Sequence, residues 1–238
     1  MTWSIIARDE GTGRLGIAVA TKFFAAGALV PHIASGVGAI ATQALVNVLY
    51  GMDGLHLLRA GLSIAEVIDR LIAHDEGRDH RQVHVMDAWG HSAAHTGAAC
   101  VSWCGHLAGD NFSLAGNMLV GPRVLEATAA AYVANDSLPF ARRLISAMAA
   151  GEAAGGDKRG KQSSALRIHG EEEWAELDLR VDDHADPLAE LARLEAVSRQ
   201  YFVHMRKFLP SRRDPAGVFD RRIIEAEIAR AVAAESET

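Results

Sequence analysis

The 238-residue chain is poor in cysteine, proline and aromatic residues, and it has no excess of positive charge. Its 24 lysine and arginine residues are outnumbered by 30 aspartate and glutamate residues, which gives a formal net charge of −6. This balance argues against nucleic acid as a partner, because no basic surface is available to neutralise phosphates. No apolar run approaches the roughly 20 residues that span a bilayer, and no signal peptide precedes residue 2. We therefore expect a cytoplasmic protein without a membrane partner.

The sequence is equally poor in metal and cofactor motifs. Its two cysteines, Cys100 and Cys104, are not spaced as a Cys-x-x-Cys redox pair, and structural disulfides are rare in the cytoplasm. We interpret them as unpaired thiols; the alternative is a metal site completed by His95 or His106. The eleven histidines include no His-Glu-x-x-His, and no phosphate loop or Gly-x-Gly-x-x-Gly joins a strand to a helix. We expect neither a metal nor a cofactor.

The stretch 2–21 is the most informative part of the chain. Two apolar runs flank a short glycine-containing turn at 9–13, which predicts a β-hairpin. Methionine aminopeptidase normally removes Met1 before a small residue, so Thr2 can become the amino terminus. A free amino-terminal threonine combines a nucleophilic hydroxyl with an α-amine that titrates near pH ~8 and can act as a base. The simpler alternative is that Thr2 is an ordinary first residue of an edge strand.

The remaining elements predict the α+β class. Further strands are predicted at 36–44, 82–87, 92–97, 163–169 and 174–181, and helices at 50–60, 124–133, 138–148, 187–207 and 218–234. Another helix follows Ser63, which forms a capping-box pattern with Glu66. Strands grouped between pairs of helices indicate two sheets packed face to face, with helix layers outside them.

A polar, glycine-rich loop at 155–163 contains the largest group of candidate site residues. Asp157 can orient an amino-terminal amine, while Lys158 and Arg159 can bind a substrate carboxylate. The amide of Gln162 and the hydroxyl of Ser163 follow directly. Loops held on a rigid sheet often carry catalytic groups, although a charged turn exposed to solvent is the alternative.

Three further candidates follow strands elsewhere in the chain. Asn117 follows Gly116 in the stretch 111–120, which we interpret as strand and loop, and its amide or nearby backbone N–H groups can hold an oxyanion. Gln43 lies near the end of the strand at 36–44 and can line the same cleft as Asn117. Lys22 follows the hairpin, where a cation can lower the pKa of the α-amine.

Seven motifs, in order along the chain, resemble one known family. They lie at 2–9, 16–21, 37–43, 95–100, 116–121, 155–163 and 178–184. Together they resemble the bacterial and archaeal family called domain of unknown function 1028, which is grouped with the N-terminal nucleophile (Ntn) hydrolases. The resemblance covers roughly residues 2–209. We therefore expect one Ntn-hydrolase-like domain at 1–209, followed by a linker and an amphipathic helix at 210–238.

The resemblance implies a four-layer αββα sandwich and an amino-terminal nucleophile. In the hydrolase that it implies, Thr2 attacks a small amide or peptide-like substrate. Asp157 and Ser163 then orient the α-amine, and Asn117 or backbone N–H groups hold the oxyanion. Substrate contacts are expected from Lys22, Gln43, Lys158, Arg159 and Gln162.

Two other hypotheses remain open on the sequence. Proteasome-like Ntn hydrolases carry a lysine after the third strand, and none follows residues 36–44 here. This departure favours a ligand-binding or assembly protein that keeps the sandwich without the chemistry. The other hypothesis makes Ser4 or Cys100 the nucleophile, since Ser4 shares a strand face with Thr2. The apolar stripe of the helix at 218–234 also needs a partner, from which we expect a homodimer.

Overall fold

The computed structural model describes residues 2–236, and within them it is an α+β protein with two antiparallel sheets and seven α-helices. The chain divides into two compact units, one ending at Leu191 and the other beginning at Ala192. The first unit contains all ten strands that the described residues form.

The larger sheet has six strands in the order β10-β9-β2-β1-β8-β7. Their bounds are β1 Thr2–Arg8, β2 Leu15–Thr21, β7 Gly105–Gly109, β8 Phe112–Asn117, β9 Ser163–His169 and β10 Ala175–Val181. The predicted hairpin is present as β1 and β2, in which Trp3 pairs with Ala20 and Arg8 with Leu15. On its other side β1 pairs with β8, so Thr2 lies opposite Asn117. The first strand is thus a central strand, not an edge strand.

The smaller sheet has four strands in the order β3-β4-β5-β6. They are β3 Pro31–Ala34, β4 Gly38–Ala44, β5 Arg81–Asp87 and β6 Ser92–Thr96. Its β4 and β5 pack against β1, and a shared core of aliphatic side chains fills the space between the sheets. This core includes Ile6, Ile17, Val19, Ala39, Ala41 and Met86. Because both faces of β1 are covered, six of its seven residues are buried, including the polar Thr2 and Ser4.

A pair of helices packs against each sheet. Helices α1 (Leu49–Arg59) and α2 (Ile64–Ala73) contact the smaller sheet, and α3 (Arg123–Ala134) and α4 (Phe140–Ala153) contact the larger one. The capping box that starts α2 is confirmed, because Ser63 and Glu66 bond reciprocally to each other's backbone N–H. Both sheets therefore have one face toward each other and one face toward helices.

The long helix predicted at 187–207 is wrong. Helix α5 (Pro187–Ser198) ends early, and a short helix α6 (Phe202–Met205) follows after a turn. The hydroxyl of Ser198 donates to the Glu195 carbonyl at 2.7 Å and so occupies an acceptor at the helix end. In the second unit α7 (Arg221–Ser236) begins three residues later than predicted, and Tyr201 donates to Glu225 on it at 3.0 Å.

Candidate active site

A pocket of about 200 Å³ lies where β1 begins and where β2 and β4 end. We call it the Thr2 pocket. Its polar wall consists of Thr2, Thr21 and Gln43, and the rest of its lining is apolar: Phe23, Ala26, Leu29, Val30, Ala44, Leu45 and Val46. The antiparallel pairing of β1 with β2 explains why residues 2 and 21, far apart in sequence, reach the same point.

Thr2 is held firmly at the wall of this pocket. Thr2 is 7% exposed, and its hydroxyl donates to the Thr21 hydroxyl at 3.2 Å. Its carbonyl oxygen accepts from the side-chain amides of Gln43 and Asn117, both at 3.4 Å. Thr2 is therefore fixed by its backbone, while its hydroxyl lies beside another hydroxyl.

Behind Thr2, a buried network of polar side chains lies between the two sheets, and Gln82 fixes its orientation. Gln82 Nε2 donates to the carbonyls of Gly105 at 3.0 Å and Gly116 at 2.9 Å. Because carbonyls only accept, Gln82 Oε1 must be the accepting end of the amide. Gln43 donates to that oxygen at 2.8 Å, and Asn117 donates to it at 3.0 Å. These bonds orient the same two amides that hold the Thr2 carbonyl.

The same logic assigns the protons around His84. With its Nε2 on Gln82, Gln43 presents Oε1 to Ser4 and accepts the Ser4 hydroxyl proton at 2.7 Å. Ser4 Oγ can then only accept from His84 Nε2, which lies 2.9 Å away. Burial lowers the pKa of His84 to about 3, so the imidazole is neutral near pH 7. Its Nδ1 then accepts from the Ser113 hydroxyl at 3.0 Å.

Ser4 is fully buried and does not line the Thr2 pocket. Its hydroxyl already bonds to both Gln43 and His84. No carboxylate completes a triad here, since Ser113 occupies the far nitrogen of His84. The Ser4–His84 pair thus has the geometry of a structural contact. The geometry favours Thr2 over Ser4 as the residue that a substrate reaches.

Asp157 anchors the predicted catalytic loop to the end of β2. Its side chain is 1% exposed, and it accepts from the backbone N–H groups of Lys22 and Arg159, each at 2.8 Å. The Arg159 guanidinium adds an ion pair at 3.2 Å. Ser163 acts nearby in a similar way: its hydroxyl donates to the Phe23 carbonyl at 2.6 Å and accepts from Ala26 N–H at 3.2 Å. Both residues therefore hold segments that border the Thr2 pocket.

The expected substrate-binding residues divide into two groups. Gln43 lines the Thr2 pocket, whereas the others are not among the described residues that line it. The ammonium groups of Lys22 and Lys158 donate to the carbonyls of Lys161 and Ser102. Gln162 bonds to Asp183 at 3.1 Å, and the Arg159 guanidinium pairs with Asp157. The structure brings Thr2, Gln43 and Asn117 together and leaves the cations of the loop apart from them.

Sequence reasoning missed Gln82 and His84. Both side chains are fully buried, and they stand two residues apart on β5, where they alternate with the apolar residues Val83 and Val85. Residues two apart point to the same face of a strand. Two polar residues alternating with buried valines were thus the available signal of an inward-facing polar network.

Within residues 2–236 no cluster of three or more His, Cys, Asp or Glu side chains is arranged to hold a metal ion. Cys100 and Cys104 are free thiols, as the sequence interpretation expected, and Cys100 donates to the Arg81 carbonyl at 3.3 Å. None of the helices in this part of the chain is long and apolar enough to cross a membrane.

Comparison with known proteins places this geometry in a family. The model of a family of unknown function, DUF1028, matches residues 2–191. The chain belongs to this family. The crystal structure of the DUF1028 protein SPO2555 from Silicibacter pomeroyi is similar, with 31% identity and a TM-score of 0.86 over 92% of this chain and 96% of that one. The resemblance to DUF1028 proteins that the motifs indicated is confirmed.

A second solved structure matches only weakly. Anbu, the ancestral beta-subunit from Yersinia bercovieri, matches at 10% identity with a TM-score of 0.40, over 82% of this chain and 94% of that chain. No curated protein matches the sequence.

Proposed function

We propose that this DUF1028 protein is an amidohydrolase of the N-terminal-nucleophile type, which cleaves a small amide or peptide-like substrate through Thr2. The observation that carries the proposal is the position of Thr2 as the first residue of a central strand, on the wall of a pocket. The two facing sheets, each covered by a helix pair, support an Ntn-like αββα sandwich.

The proposed reaction needs a free α-amine on Thr2, which requires removal of Met1. Thr2 Oγ attacks the substrate carbonyl carbon, and the α-amine accepts the hydroxyl proton. As the C–N bond breaks, that proton passes to the leaving nitrogen, and the acyl group remains as an ester on Thr2. Water then cleaves the ester, which releases the acid and restores the hydroxyl.

The surrounding residues support this reaction by positioning Thr2. Gln43 and Asn117 hold its carbonyl, and Gln82 orients both of their amides. Because the Asn117 amide already bonds to the Thr2 carbonyl and to Gln82, Asn117 acts in this proposal as a positioning residue. Asp157 and Ser163 act indirectly, by holding the segments beside the pocket.

A labelling experiment tests the proposal. The protein is treated with a β-lactone that acylates hydroxyl nucleophiles, and the adduct is located by intact-mass and peptide mass spectrometry. We expect loss of Met1 and one adduct on Thr2. Thr2→Ala should abolish the adduct, Thr2→Ser should retain it, and Thr12→Ala in the exposed β1–β2 turn should behave as wild type. A mature protein that fully retains Met1 would refute the mechanism.

A ligand-binding protein without chemistry is the second candidate function. It is favoured by one observation: none of the ten described residues that line the Thr2 pocket carries a charge that could tune an α-amine. In that case no β-lactone adduct forms on Thr2, and Thr2→Ala binds pocket ligands as wild type does. An adduct confined to Cys100 or Cys104 would instead favour a thiol nucleophile.

A further inference from the structure

The composition of the Thr2 pocket carries information about the substrate. Seven of its ten described lining residues are apolar, and the side chains of its three polar ones are uncharged. The polar side chains all lie on the wall formed by the strand ends, where the hydroxyl of Thr2 is found. The rest of the pocket is thus a surface for an apolar group bound next to Thr2.

The pocket has the size of one large side chain. Its volume is about 200 Å³, and an apolar protein cavity of about 150 Å³ binds benzene. An isobutyl or benzyl group therefore fits. Most ligand pockets combine such apolar lining with a few placed polar groups that set the orientation.

Local structure keeps the apolar wall in place. The Phe23–Ala26 turn is tied to the larger sheet through Ser163, which bonds to a backbone group at each end of the turn. On the opposite side, Ala44 adopts a positive φ of 69° as β4 ends, and the chain then continues into Leu45 and Val46. The lining is therefore formed on both sides by backbone segments whose position is fixed.

The charged side chains near the Thr2 pocket bond to groups outside it. The Lys22 ammonium donates to the Lys161 carbonyl at 3.1 Å, and the Asp157 carboxylate is buried against backbone N–H groups. A charged substituent entering the Thr2 pocket would lose hydration and meet no oppositely charged side chain among the described lining residues. The expectation that Lys158 and Arg159 bind a substrate carboxylate receives no support from this pocket.

We propose that the substrate carries an uncharged, apolar side chain of leucine or phenylalanine size, bound in the Thr2 pocket beside the carbonyl that Thr2 attacks. This inference rests on the proposed function for the position of the scissile bond. It assigns the substrate to amides of apolar acyl groups and excludes those whose adjacent side chain is acidic or basic.

A matched set of acylating probes tests the side-chain preference. Four probes share one β-lactone group and differ only in substituent: isobutyl, benzyl, carboxyethyl and aminobutyl. We expect the isobutyl and benzyl probes to label Thr2 at least about tenfold faster than either charged probe, given the free energy of burying an apolar side chain. Equal or faster labelling by a charged probe would overturn the inference.

A charge introduced into the pocket should reverse the preference. Leu29 is half-buried in the wall, so Leu29→Arg places a guanidinium there. We expect this variant to label faster with the carboxyethyl than with the isobutyl probe. Leu49→Arg is the matched control, because Leu49 is exposed and does not line the pocket. Circular dichroism and urea unfolding check that both variants are folded.

Binding without chemistry separates this inference from the proposed function. Isothermal titration of Thr2→Ala with N-acetyl-leucinamide and N-acetyl-aspartamide measures pocket preference directly. If N-acetyl-leucinamide binds, Leu29→Arg weakens that binding, and no probe forms an adduct, then the inference of an apolar pocket stands and the hydrolase proposal is overturned. If Thr2 is labelled and the carboxyethyl probe is preferred, then the hydrolase proposal stands and the inference of an apolar pocket is overturned.

Discussion

Acidification should destabilise the fold through His84, whose protons are fixed by the network around it. The ordinary pKa of a histidine is 6.5, and burial lowers that of His84 to about 3. Between these values the unfolded chain binds a proton that the native protein does not. The free energy of unfolding therefore falls as pH falls, by about 1.4 kcal/mol for each pH unit below 6.5.

The magnitude follows from the same values. At pH 4.5, two units below the unfolded pKa, the native imidazole is still neutral. The loss relative to pH 7.5 is thus about 2.7 kcal/mol from this one residue. Carboxylates also destabilise the fold in acid, but their contribution is common to wild type and to a variant that lacks only the imidazole.

Urea unfolding followed by tryptophan fluorescence measures this difference, because Trp3 is buried between the layers of the first unit. His84→Gln keeps an amide in the network and removes the titrating group. Wild type should lose about 2.7 kcal/mol more than His84→Gln between pH 7.5 and 4.5. His56→Gln, at an exposed position, is the control and should follow wild type. If wild type and His84→Gln lose the same free energy to within about 1 kcal/mol, the proton assignment of the network is wrong.

Two further predictions concern a packing contact and a buried hydrogen bond. A Cβ on Gly51 would lie 2.1 Å from the His32 ring, so Gly51→Ala should lower the free energy of unfolding by about 1–3 kcal/mol. Gly11→Ala, where nothing lies within 4 Å, should change it by less than about 0.5 kcal/mol, and a similar loss in both would contradict the steric reason. Ser163→Ala leaves the buried Ala26 N–H without its acceptor and should cost about 1–3 kcal/mol in urea unfolding, whereas an unchanged midpoint would show that this turn does not depend on the hydroxyl.

Much of the first unit was predictable because its signals are local. The hairpin and the Ser63 cap depend on residues within a few positions of each other, and both are present. Strand β7 was not predicted, since Gly105–Gly109 has little β propensity and forms by pairing with β8. The end of helix α5 at Ser198 was not predicted either, because neither glycine nor proline occurs between residues 188 and 209.

The candidate site was predictable only in part, because long-range contacts decide it. Thr2 and Gln43 were expected to face one cleft, and they do. Asp157 was expected to orient the α-amine, and the structure shows its carboxylate buried against the backbone N–H groups of Lys22 and Arg159. Composition shows that a loop is charged, but it does not show which of its charges the backbone already satisfies.

The central place of β1 has a practical consequence for anyone who expresses this protein. Thr2 is paired on one side through β8 and lines the Thr2 pocket. An affinity tag or fusion partner joined before Thr2 would therefore begin at the pocket wall, and it would also cap the α-amine. A preparation tagged at that end would give no adduct on Thr2 for a trivial reason, so the tag belongs after residue 238.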